Sequence, residues 1–169
     1  GLGFLFGLQH ATDPDHVVAV ATIVSRTRRF DAGALIGAFW GVGHTATIVT
    51  VGMAIIVFNL TVTPSVGLSL ELVVAVMLLV LGVFRIVRFV QDRDHEGQAV
   101  TDGSIGFRSA LQTVGRAQAA RSIGIGLVHG LAGSAAVALL VLSTVRSPYA
   151  AAAYLLLFGL GTIIGMTAI

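Results

Sequence analysis

The length of its apolar runs constrains this chain more than any other feature. Stretches of ~20 residues suffice to cross about 30 Å of hydrocarbon. The sequence offers about five: Leu2–Ser25, Ala34–Leu60, Leu68–Val90, Ser122–Thr144 and Ala150–Ile169. A mean hydropathy of +0.94 places the chain among integral membrane proteins rather than soluble domains. In lipid every backbone N–H and C=O must be bonded within the protein, so these runs are expected to be helical. The expected fold class is all-α, a polytopic transmembrane helix bundle occupying residues 1–169. The absence of an initial methionine and the apolar final residues, ending at Ile169, read as a segment cut from something longer at both ends.

Arginine distribution orients the bundle. The connections carry Arg26, Arg28 and Arg29 in the first, none in the second, Arg85 through Arg121 in the third, and Arg146 alone in the fourth. The positive-inside rule makes the first and third connections cytoplasmic. The third, 91–121, is the main hydrophilic segment. Its "QDRDHEGQAVTDGS" reads as a flexible loop, and its "FRSALQTVGRAQAAR" as an interfacial amphipathic helix with Phe107, Leu111 and Val114 on one face. Glycines at four-residue steps (Gly33, Gly37 and Gly41; Gly126 and Gly130; Gly161 and Gly165) predict close helix packing. Thr45 and Ser134 are expected to be packing hydroxyls of the same kind.

Against this background "GLQHATDPDHVVAV", Gly7–Val20, is out of place. An aspartate at mid-membrane costs ~2.5–3.5 kcal/mol, while each Leu, Ile, Phe or Val returns only ~0.3–0.6. His10, Asp13, Asp15 and His16 therefore need partners inside the protein. Counting at ~1.5 Å per residue, His16 lies ~15 Å from Arg26, His44 ~20 Å from Asp31 and His129 ~12 Å from Arg121. Three spans thus place histidine near one depth. His10 and His16 are six residues apart, which on a straight helix leaves them about 120° from facing the same way. Pro14, between them, removes a backbone donor and disfavours helix at Asp13. A broken first helix is expected, and discontinuous helices at the midplane are where transporters build ion sites.

With no cysteine, metal must be held by histidine, carboxylate, backbone or water. Imidazole with carboxylate suits nickel, cobalt or zinc better than magnesium or calcium. His44 or His129 taken singly could instead serve packing through a hydrogen bond. Asp13 could ligate, or could cap a helix restarting at Pro14. His95 lies among charges and reads as a solvated loop residue. The basic residues, all arginine and dispersed over connections, give no support for nucleic-acid binding.

The residues also carry a resemblance. "HATDPDH" matches the H-x4-D-H signature of the nickel/cobalt transporter (NiCoT/NicO) family, and "GVGHTATIV" is similar to that family's second motif. The resemblance implies a polytopic permease for Ni2+ or Co2+ in which His10, Asp15 and His16 are essential to transport and His44 lies beside them. No resident cofactor is implied, because the metal is cargo. The chain departs from the longer permeases in its fourth span, where "GLVHGLAGSAAV" replaces an acidic motif. In this it is similar to shorter family members of the urease-accessory type. Expected partners are the divalent ion, the bilayer of a bacterial inner membrane and metalloenzyme-maturation proteins.

The leading expectation is secondary transport by alternating access around a midplane site formed by His10, Asp13, Asp15, His16, His44 and His129. An accessory component supplying nickel to urease or hydrogenase maturation is the alternative. A histidine-box membrane enzyme would need more histidines than the four in these spans, and no H-E-x-x-H exists for a zinc protease.

Overall fold

A computed structural model describes residues 1–24, 29–58, 60, 63–91, 114–131 and 147–169. Among them every regular element is an α-helix: α1 (Leu2–Ala11), α2 (Pro14–Val24), α3 (Phe30–Phe58), α4 (Pro64–Gln91), α5 (114–131) and α6 (Pro148–Ala168). Three of these, α3, α4 over Ser65–Phe84, and α6, are long and apolar enough to cross a membrane. The chain is a helical membrane protein.

The first apolar run is interrupted where Pro14 predicts it. Helix α1 closes with i→i−3 bonds, Thr12 N–H to the Gln9 carbonyl (2.9 Å) and Asp13 N–H to the His10 carbonyl (3.1 Å). The Thr12 hydroxyl also donates to Gln9 O at 2.6 Å. Helix α2 restarts at Pro14, whose missing N–H costs nothing at a helix start, and the Asp13 carbonyl accepts from His16 and Val17.

Helix α3 is the centre of the bundle, gripped on two faces by small residues. Gly37 and Gly41 face the α6 backbone at Met166 and Ile163, where a Cβ on Gly37 would fall on the Met166 carbonyl. On another face Gly43 meets the Ile123 carbonyl of α5, and Gly126 and Gly130 of α5 meet the Trp40 and His44 carbonyls in return. Helix α1 lies along α6 in the same manner, through Gly3, Gly7, Gly161 and Gly165. Hydroxyls tie these contacts together: Thr45 donates to Gly159 O (3.2 Å), Thr47 to Leu127 O (2.9 Å) and Thr162 to Phe158 O (2.9 Å) and Gly7 O (3.3 Å). Without a hydrophobic drive in lipid, such close backbone approach and interhelical bonds supply the association energy. Helix α4 touches α2, and Leu68, Leu72, Leu79 and Val83 stay exposed on its surface as lipid-facing side chains do.

Val114, expected on the face of an interfacial helix, is the first described residue of α5 and packs against Ala32 and Ile36 of α3. Helix α3 also begins at Phe30, four residues ahead of the apolar run expected from Ala34. Phe107, Leu111, His95 and Ser134 lie outside the described residues.

Candidate metal site

The break between α1 and α2 does what a straight helix could not. It turns His10 and His16 toward one point, with ring centroids 4.4 Å apart. His44 meets them from the middle of α3, fourteen residues from either end of that helix, or ~21 Å. His44 Nε2 lies 3.2 Å from His10 Nε2 and 3.5 Å from His16 Nε2. Two nitrogens bound ~2.05 Å from one ion at a tetrahedral angle are ~3.3 Å apart. His44 Nε2 therefore stands from each of the other two at the separation of a shared coordination sphere, and the three donors all lie within 4.8 Å of one another.

The outward nitrogens explain which atoms face inward. His10 Nδ1 is 2.8 Å from Asp13 Oδ2, and His16 Nδ1 is 2.9 Å from Asp15 Oδ1. An ionised carboxylate only accepts, so each Nδ1 carries the proton and each Nε2 presents its lone pair. This is the carboxylate–histidine arrangement that orients ligands in metal centres. A third lone pair at His44 Nε2 leaves its Nδ1 as the N–H, and that nitrogen is buried with no hydrogen-bond partner among the described residues. In that tautomer three lone pairs converge on one point, as a bound cation requires; without a cation, His44 Nε2–H can instead donate to His10 Nε2 at 3.2 Å.

His129 enters from α5, where Gly126 and Gly130 bring its backbone against α3. Its Nε2 lies 3.0 Å from Asp15 Oδ2, so the Asp15 carboxylate bridges His16 and His129. His16, His44 and His129 are 2%, 0% and 2% exposed, whereas the Asp13 and Asp15 side chains are about half exposed, at 48% and 45%. All six expected site residues thus gather at one place. Asp13 turns its carboxylate back to His10 rather than onto the α2 backbone.

Trp40 was not singled out by its sequence and belongs to the site wall. It is fully buried one helical turn before His44, with its ring centroid 5.2 Å from His129, 5.5 Å from His16 and 5.9 Å from His44. The available signal was the i, i+4 pairing in "WGVGH", which puts indole and imidazole on one face. Phe158 of α6 closes the His10 side at 5.3 Å. These aromatic rings line the site on its α3 and α6 sides, while the half-exposed Asp13 and Asp15 carboxylates mark its open side.

The comparison with known proteins decides the family. The chain is 38% identical over 168 residues to the urease accessory protein UreH of Bacillus sp. (strain TB-90), covering 98% of this chain and 71% of that protein. This chain belongs to the UreH family. A more distant likeness, 30% over 180 residues, is to the chloroplast protein FOR GROWTH AND FERTILITY 2 of Arabidopsis thaliana, covering 97% of this chain and 44% of that protein. No family model matches the chain, and no solved structure does.

Proposed function

We propose that this UreH-family protein passes Ni2+, or the chemically similar Co2+, through the bilayer, and that it does so to supply a metalloenzyme-maturation machinery such as that of urease. The observation that carries this reading is the convergence of three imidazole Nε2 atoms, at 3.2 and 3.5 Å, inside a bundle of membrane-spanning helices. Nitrogen donors of this softness favour late first-row divalent ions, and affinity rises along the series toward nickel and copper. The cost of burying His16, His44 and His129 in a membrane bundle argues for a role beyond packing. The UreH name of the relative adds the direction of supply, toward urease. The transported ion is substrate, and the protein carries out no catalytic step in this reading.

By the arginine asymmetry the α3–α4 connection faces outward and the α2–α3 connection inward. The site then lies near the midplane, where gating on either side of a fixed centre gives alternating access. The test is nickel-limited urease activation in a bacterial host lacking its own nickel uptake. Expression of the full-length protein should raise cell nickel and urease activity together, and His16→Ala should leave both at background. Equal activation by the unmodified and His16→Ala proteins would sink the reading.

A further inference from the structure

We infer that the donor set is not one coordination sphere but two adjoining cation positions that share His16 and are filled in turn. This rests on the metal-transport reading above. The inner position is the Nε2 triad of His10, His16 and His44, and the outer one is Asp15, His16 and His129; the donor atoms within each triad lie within 4.8 Å of one another.

The two nitrogens of one ring make the division. His16 Nε2 faces His44 at 3.5 Å, while its Nδ1 faces Asp15 Oδ1 at 2.9 Å. His129 reaches the cluster through Asp15 Oδ2 at 3.0 Å, on the Nδ1 side of His16. A neutral imidazole has a single lone pair. His16 can therefore serve the inner position or the outer one, not both at once.

Asp15 changes role with the position occupied. With the ion outside, its carboxylate is a ligand beside His16 Nδ1 and His129 Nε2, and the His16 N–H is on Nε2, directed at His44. With the ion inside, Asp15 accepts from the N–H of His16 and of His129, the arrangement seen here. Each move leaves both rings neutral: the proton lost from one nitrogen is replaced on the other by exchange with water that reaches the site past the half-exposed Asp13 and Asp15 carboxylates.

Asp15 orders the two positions: it is the one anionic donor of the two triads and is 45% exposed, whereas the inner donors His10, His16 and His44 are neutral imidazoles at 16%, 2% and 0%. A hydrated dication is met first by the anionic, accessible donor, which offsets the cost of shedding water. It then moves to three neutral nitrogens, with the carboxylate still one ring away. Holding an ion by two modest sites rather than one deep one also favours release, because conduction needs binding weak enough to leave.

The experiment uses the full-length protein in lipid nanodiscs, Ni2+ as the probe, X-ray absorption to identify the ligands, and Ni2+ flux in liposomes. His129→Ala should still bind one ion through three imidazoles, and His44→Ala one ion through a carboxylate and two imidazoles. Both should slow flux by ~10-fold or more, the size of a lost supporting partner. His16→Ala should abolish both positions. Asp15→Asn preserves side-chain size and should match His129→Ala in ligand count, so a folding defect is not mistaken for a lost position. Wild-type flux in His129→Ala and Asp15→Asn would overturn the two-position scheme, as would loss of all Ni2+ binding in His44→Ala while the unmodified protein binds. No Ni2+ binding by the unmodified protein would instead overturn the transport reading itself.

Discussion

Asp13→Ala separates an orienting carboxylate from a ligating one. Asp13 Oδ2 holds His10 Nδ1 at 2.8 Å, and its side chain is 48% exposed. Removing an orienting partner of a metal-bound histidine typically costs 10–100-fold in affinity. Here water can replace the half-exposed carboxylate as acceptor, so the expectation is the low end, ~10-fold or about 1.4 kcal/mol. Asp15 holds two buried imidazoles at once, so Asp15→Ala should fall nearer ~100-fold, about 2.8 kcal/mol. The assay is Ni2+ titration of the purified full-length proteins in nanodiscs, with circular dichroism to confirm equal helicity. Complete loss of binding in Asp13→Ala would refute the orienting role and make Asp13 a ligand; unchanged affinity would refute any coupling of Asp13 to the site.

Three further outcomes are expected. Gly126→Ala puts a methyl group on the Trp40 carbonyl, which must push α5 from α3; overpacking of this kind costs ~1–3 kcal/mol, so both the melting temperature and Ni2+ affinity should drop, and a wild-type melt would contradict the packing. Cysteines placed at Ser65 and Gln91, at opposite ends of α4, should react with an impermeant thiol reagent added outside only at position 65, and the reverse pattern would invert the orientation. Acid should weaken Ni2+ binding, because protons compete for each imidazole lone pair; an affinity indifferent to pH would contradict imidazole ligation.

Some of this was legible in the sequence because lipid narrows the choices. Hydrocarbon leaves a backbone little besides the helix, so apolar run length marked α3, α4 and α6. Pro14 marked the break, since its ring forbids the continuing helix whatever surrounds it. Glycine steps marked close contacts, though not which helix faces which: Gly41 meets α6, and Gly43, two residues on, meets α5. Counting from the charged ends of the runs (Arg26, Asp31 and Arg121) puts His16, His44 and His129 near one depth, and in the structure their rings lie within 5.7 Å of one another.

What spacing could not give is direction around the helix axis at the break. Two residues outside regular helix, Thr12 and Asp13, set where His10 points relative to His16, and that turn depends on tertiary contacts. For the same reason Asp13 and Asp15, two apart in sequence, were not separable into partners of different histidines. Trp40 carries no distinguishing mark in the sequence, because an aromatic in an apolar helix ordinarily signals packing alone.

The central claim is that a divalent metal ion crosses the membrane through imidazoles gathered around His16. Its most direct test is Ni2+ entry into liposomes containing the purified full-length protein, followed by a trapped metal-sensitive dye, with His16→Ala reconstituted to the same density. Saturable entry is expected with the unmodified protein and background leakage with His16→Ala. Entry that is equal in the two, or absent from both, would contradict it.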